Sequence, residues 1–322
     1  MNIVKWSHVL YVGLFLALLY PFCLSGDAVY QSSRFEIQAE AAHKDFAKGI
    51  AKPLEVRLAD LHRQIGIYPT QSAQFIIVRS KADYQKLTQG KEGIIQQSRA
   101  FYLSSTRHIY LRGPEQVTDN YLKILIHEYM HWYVDYIFGS APLWFHEGMA
   151  VEYAQQMSYE RYYHFLRSRF IGSHFHLNEM YYTYPKSANA WDLFYSTSAI
   201  AIRYMKQGKH DAWQRFWNNA ADNYRHAISN PHADPRSFSN SLYVAYGLSA
   251  NAFAEDFGRY AKHLSYQYIF MAINALVLAL LPLVLIIGYT IRKKRLRSMP
   301  DMEILSDVEI VEEDVDGRDV RE

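Results

Sequence analysis

Hydrophobic positions change their period several times along this chain, and each change marks an element. Residues 33–65 carry apolar side chains at helical spacing and stop at Gly66, which predicts one helix, bent or broken near Pro53. Ala73–Val78 is a short β-branched and aromatic run, a buried strand, and Lys81–Thr88 a short helix closing at Gly90. Residues 98–112 read as two strands around a turn at 104–106. Helical spacing returns at 121–138, breaks at Gly139-Ser140-Ala141-Pro142 and resumes with a second helix carrying Trp144 and Glu147. Farther on, 191–218 give an amphipathic helix, a turn near Gly208 and another helix, and 236–263 close with a last helix over 250–263. Strands in the first half and helices in the second predict an α+β chain with a small mixed sheet.

Two stretches are apolar on every side. Residues 1–26 have a single Lys5, an apolar run over 9–24 and then small residues. That is the layout of a signal peptide cut after Ser25 or Ala28, with an uncleaved N-terminal anchor as the alternative. No charged residue occurs from 264 to 291, so one transmembrane helix is expected at 266–291, set in the lipid bilayer. Arg292, Lys293, Lys294, Arg295 and Arg297 follow at once. By the positive-inside rule they hold the segment 292–322 in the cytoplasm and put 27–265 outside.

Charge adds little to this division. The tail 301–322 has ten acidic and two basic residues, the composition of a disordered segment. With the ends set aside, 27–265 hold 26 basic against 22 acidic residues, which gives nucleic-acid binding no support. Cys23 is the only cysteine and would leave with the signal, so a core without disulfides is expected outside. Aromatics make up 16% of the chain, and about 240 residues between the apolar ends are ample to bury them. No feature points to a particular oligomeric state.

The candidate chemistry lies in 121–153. His127-Glu128-Tyr129-Met130-His131 is an H-E-x-x-H run, and residues four apart on a helix share a face, so His127 and His131 offer two imidazoles to one ion. Glu128 is offset to the side, where a carboxylate binds the water on a metal and takes its proton once the ion has lowered the water's pKa to about 7. A catalytic zinc site has three protein ligands and an open fourth position. The extended histidine version of the motif is excluded, because Val134 and Ile137 stand where its Gly and third His would be. Glu147 is the better third ligand, brought back by the turn at 139–142. Asp135, Glu152 and His146 are its rivals. Asp135 would have to reach back a full turn, Glu152 sits well round the helix from Glu147, and a histidine beside a ligand is more often a packing neighbour.

The runs I-L-I-H-E-Y-M-H and P-L-W-F-H-E-G-M-A resemble the gluzincin metallopeptidases, and among them the peptidase MA-like group of small bacterial domains. There an apolar H-E-x-x-H helix is followed by W-[LF]-x-E-G-x-A. A weaker likeness over 72–113 and 191–262 extends the resemblance to most of 35–262. It implies a zincin-like fold, one zinc ion, Glu128 as general base and Glu147 as the glutamate ligand. It also implies that the strand 108–111 is the edge along the cleft, where an extended peptide pairs. Tyr195, at the head of a helix facing the metal in that family, would donate to the oxyanion, with His226 and His232 as lesser candidates. His108 could line the cleft. One position departs: the family's aromatic five residues after the glutamate is here Tyr153, six after Glu147.

Residues 158–190 mix aromatic and polar side chains and read as a wall of the cleft; His174 and His176 lack the partner cluster a second metal would need. Phosphate loops, nucleophile elbows and Cys-x-x-Cys pairs are absent from the sequence. The expectation is a membrane-anchored, extracytoplasmic zinc metallopeptidase acting on peptide or protein. A non-catalytic relative serving as a binding or regulatory module is the alternative, opposed by the intact Glu128. An intramembrane protease is opposed by Lys123, Glu128 and Asp135, which make 121–138 too polar for a span.

Overall fold

The structure, a computed structural model, describes residues 27–298 apart from 91, 92, 172, 173, 209 and 233. The expected leader at 1–26 and acidic tail at 301–322 lie outside the described residues. The strands are β1 (Asp27–Gln31), β2 (Phe35–Ala39), β3 (Ala73–Val78), β4 (Ala100–Leu103) and β5 (His108–Arg112). The helices are α1 (Lys44–Ile65), α2 (Lys81–Thr88), α3 (Gly93–Gln97), α4 (Asp119–Phe138), α5 (Leu143–Tyr153), α6 (Tyr159–Ser168), α7 (Trp191–Gly208), α8 (His210–Ser229), α9 (Phe238–Tyr246) and α10 (Ala250–Arg297). This is the α+β arrangement expected, mostly helical, with one five-stranded mixed sheet in the order β1-β2-β3-β5-β4.

Strands β2, β3 and β5 run parallel, while β1 and β4 are antiparallel to their neighbours. A parallel strand covered on both faces has no polar side, and β3 is accordingly buried at every position but Gln74. Its side chains divide by parity. Phe75 and Ile77 join Phe35, Ile37, Ile109 and Leu111 in the main core, and Ile76 and Val78 join Tyr84, Phe101 and Tyr110 in a smaller one.

Residues 35–39 are a strand, not the start of a helix, because Phe35, Ile37 and Ala39 alternate inward with period two; Phe35 and Ala39 are also four apart, which mimics a helical face. Helix α1 then runs unbroken through Pro53, its missing N–H offset by burial of Leu54, Leu58 and Leu61 on one face. The strand at 108–112 is interior, between β3 and β4, and the free edge belongs to β4. Both strands of that hairpin are apolar and their composition does not say which one carries on the sheet.

Helix α4 is enclosed by α1, α5, α8 and β4. Tyr121, Leu125, Tyr129 and Tyr133 are fully buried along it. Two of those hydroxyls are partnered: Tyr133 donates to the Ile67 carbonyl at 2.9 Å, and Tyr129 lies 2.7 Å from His62 Nε2.

The chain divides into a unit ending at Tyr266 and a second beginning at Gln267. The second unit carries the apolar part of α10, whose most hydrophobic window has no buried residue. By length and composition this helix could cross a membrane.

Candidate metal centre

A helical hairpin positions the donor groups. The Thr118 hydroxyl accepts the Tyr121 N–H and opens α4, which ends at Gly139 with φ at 67°, a backbone region that favours glycine. Arg236 Nη1 donates to the Tyr136 carbonyl at 2.8 Å in the last turn, and Pro142, with extended backbone, is the N-cap of α5. The turn between them sends α5 back beside α4, as the spacing of the motifs predicts.

His127, His131 and Glu147 converge. Glu147 Oε2 lies 3.5 Å from His127 Nε2 and 3.7 Å from His131 Nε2, and the three donor atoms are all within 4.8 Å of one another. Ligands about 2.1 Å from a tetrahedral ion stand roughly 3.4 Å apart, so this spacing suits one. Glu147 is 2% exposed, and its Oε2 is buried without a hydrogen-bond donor. A carboxylate oxygen left so in the interior is costly unless a cation faces it. These residues fit a metal ion.

Neighbours hold the donors in place. The Tyr184 hydroxyl donates to Glu147 Oε1 at 2.5 Å, leaving Oε2 for the imidazoles. Gln156 Oε1 lies 2.9 Å from His127 Nδ1, and the same amide's Nε2 donates to the Lys123 carbonyl at 3.4 Å. With the amide turned that way its oxygen meets the ring, so Nδ1 carries the hydrogen and Nε2 keeps a lone pair. Burial pushes the Glu147 carboxyl up, but the imidazoles of His131 and His127 and the Tyr184 hydroxyl outweigh it and hold it at about 2. Burial takes His131 down to about 3, the neutral form a ligand needs, while His127 is raised by Glu147 and Glu128 against its own burial.

Glu128 stands outside the donor group, at the free edge of the sheet. Its Oε2 accepts the Tyr102 N–H of β4 at 2.8 Å. Burial lifts its carboxyl to about 7, against the opposing pull of His127 and the Tyr102 N–H. The cleft in front of these groups has a volume of about 300 Å³ and is also lined by Tyr184, Trp191 and Tyr195. Tyr195 is the fifth residue of α7, its ring 6.2 Å from that of His127, and burial with the nearby carboxylates raises its hydroxyl well above the usual phenol range.

The rivals are engaged elsewhere. Asp135 accepts the Tyr102 hydroxyl at 2.6 Å, and Glu152 binds Arg203 at 2.8 Å and Lys206 at 3.3 Å. His146 lines the cleft beside His131 without joining the donor group. His108, His226 and His232 do not line the cleft, and His226 lies in α8. His174 and His176 stand side by side, yet among the described residues no third donor joins them. Of the wall expected from 158–190, Tyr184 reaches the cleft.

Tyr102, Gln156 and Tyr184 escape sequence reasoning. For Tyr184 the aromatic density of 181–184 is the only signal, and for Gln156 there is none beyond its place just after α5. The sequence matches no protein-family model and no curated protein.

Proposed function

We propose that this chain is a membrane-anchored zinc metallopeptidase of gluzincin type and zincin-like fold, with its peptidase domain on the outer side. What supports this most directly is the buried, donorless Oε2 of Glu147 facing two imidazoles, in a cleft that also holds a carboxylate outside the donor group. A purely structural site has no need of that second acid. His127, His131 and Glu147 would hold the zinc, which when bound supplies Lewis-acid polarisation of a carbonyl and acidification of water.

The remaining work falls to this chain's side chains. Glu128, with a carboxyl near neutrality, takes a proton from the attacking water at the carboxylate and delivers it to the leaving amine as the C–N bond breaks. The Tyr102 N–H fixes where that carboxylate stands. Tyr195 keeps its proton at any working pH and donates to the oxyanion that forms on the scissile carbonyl. The five cations that follow the apolar run of α10 support a cytoplasmic C-terminus.

The test uses the full chain in detergent micelles, loaded with zinc, on a mixed peptide library. Wild type is expected to cleave, and Glu128→Gln to lose at least about 100-fold in rate while its zinc content stays unchanged. Cleavage that survives in Glu128→Gln, or a wild-type chain that neither binds zinc nor hydrolyses any peptide, refutes this function.

A further inference from the structure

Beside the cleft, bordered by the same His127 and Glu128, is a second cavity of about 330 Å³ whose character differs. His127, Glu128 and Tyr195 border both spaces, which puts the second cavity on the 97–99 side of the donor group. Its far wall is made by Gln97, Arg99, Gln156 and Arg161, and Glu128 is the only acidic residue among the described residues lining it. The main cleft, by contrast, contains Asp135 at its other end.

Each arginine has one acidic partner, and each of those partners is either exposed to water or shared. Arg161 is held firmly: Nε donates to Asp192 at 3.1 Å, Nη1 to the Gln156 carbonyl at 3.0 Å, and the guanidinium lies 5.5 Å from the Tyr195 ring centroid. Its Nη2 donates to no acceptor among the described residues, and the Asp192 side chain is 62% exposed, where water screens it. Arg99 has one acidic partner, Glu115, at 3.3 Å. That carboxylate is shared with Arg112, which binds it through Nε and Nη2 at 3.1 and 2.9 Å. Two arginines thus line one cavity beside the donor group, and guanidinium groups select carboxylates.

We infer that Arg99 and Arg161 form a subsite that binds a carboxylate of the peptide substrate on one flank of the bond to be cut. This rests on the peptidase function proposed above and adds a substrate class to it. The carboxylate is either an Asp or Glu side chain or the free C-terminus, and peptide design separates the two.

The experiment compares matched peptides on the zinc-loaded full chain, with Asp or Glu against Asn or Gln at each position flanking the cut, and with free against amidated C-termini. Carboxylate peptides are expected to exceed their amide counterparts about tenfold in kcat/KM. A preference kept after amidation identifies the side chain, and one abolished by it identifies the terminus. Arg99→Gln, at an exposed position, should remove most of the preference, Arg161→Gln likewise, and Arg99→Glu should turn it toward Lys. A second readout needs no turnover: Kd of the same fluorescent peptides for the Glu128→Gln chain should show the same ranking. Equal binding and cleavage of acidic and amide peptides, or a preference that survives both arginine substitutions, overturns the subsite. If the wild-type chain hydrolyses nothing, the peptidase function fails on its own, and the Kd ranking still decides whether the arginines select carboxylates.

Discussion

Glu147 divides its two oxygens between a phenol and a pair of imidazoles, so the quality of the site depends on residues that never touch the ion. Gln156→Ala would free the His127 ring to turn and lose its hydrogen-bonded tautomer, and zinc affinity should fall about 10- to 100-fold in competition with a chelator. His62 matters to the fold itself. Burial, with Arg34 adding to it, takes its pKa from 6.5 down to about 4. The unfolded chain therefore gains this proton near pH 6.5 and the folded chain only near 4, so stability is full above 6.5 and is lost as pH falls through that window. The loss amounts to about 3 kcal/mol. His62→Gln, which can still bond the Tyr129 hydroxyl, should flatten this dependence in denaturant melts between pH 7 and pH 4.5. The motif residues are legible in the sequence because helical spacing brings positions four apart together. Tyr102, Gln156 and Tyr184 reach their partners across 26, 29 and 37 residues, and no spacing rule governs such contacts.

Helix α5 is placed by how closely α7 can approach it. A Cβ at Gly148 would meet the Ser198 carbonyl oxygen at 2.4 Å and Ile202 Cγ1 at 2.6 Å. Backbone cannot yield as a flexible side chain would, so Gly148→Ala must separate the helices. The expected cost is about 3 kcal/mol in a denaturant melt, with a parallel fall in zinc affinity because Glu147 is the preceding residue. Most elements are legible from periodicity: β3, α2, the β4–β5 hairpin, α4 and α7 lie where the pattern puts them, while α8 runs on to Ser229, past the expected end at 218. What is hidden is partner choice. The pairing of β2 with β3 depends on a contact 38 residues apart, Phe35 with Ala73, and the identity of the edge strand depends on which member of a hairpin meets β3. Local sequence encodes neither.

At the scale of the whole molecule, the apolar run and the cations behind it make a prediction about sidedness. In a Cys23→Ser background, a cysteine at Tyr159, where the native side chain is 88% exposed, should react with a membrane-impermeant maleimide on intact cells. A cysteine at Ser298 should react only after permeabilisation, and the opposite pattern would reverse the orientation. The three donors share one helical hairpin, and the outermost two, His127 and Glu147, are only twenty positions apart. Closing so short a loop costs little chain entropy. Metal capture accordingly need not wait for the long-range strand pairing, and an ion taken up while the chain is still emerging would serve as a nucleus for folding, not as a late addition to a finished fold.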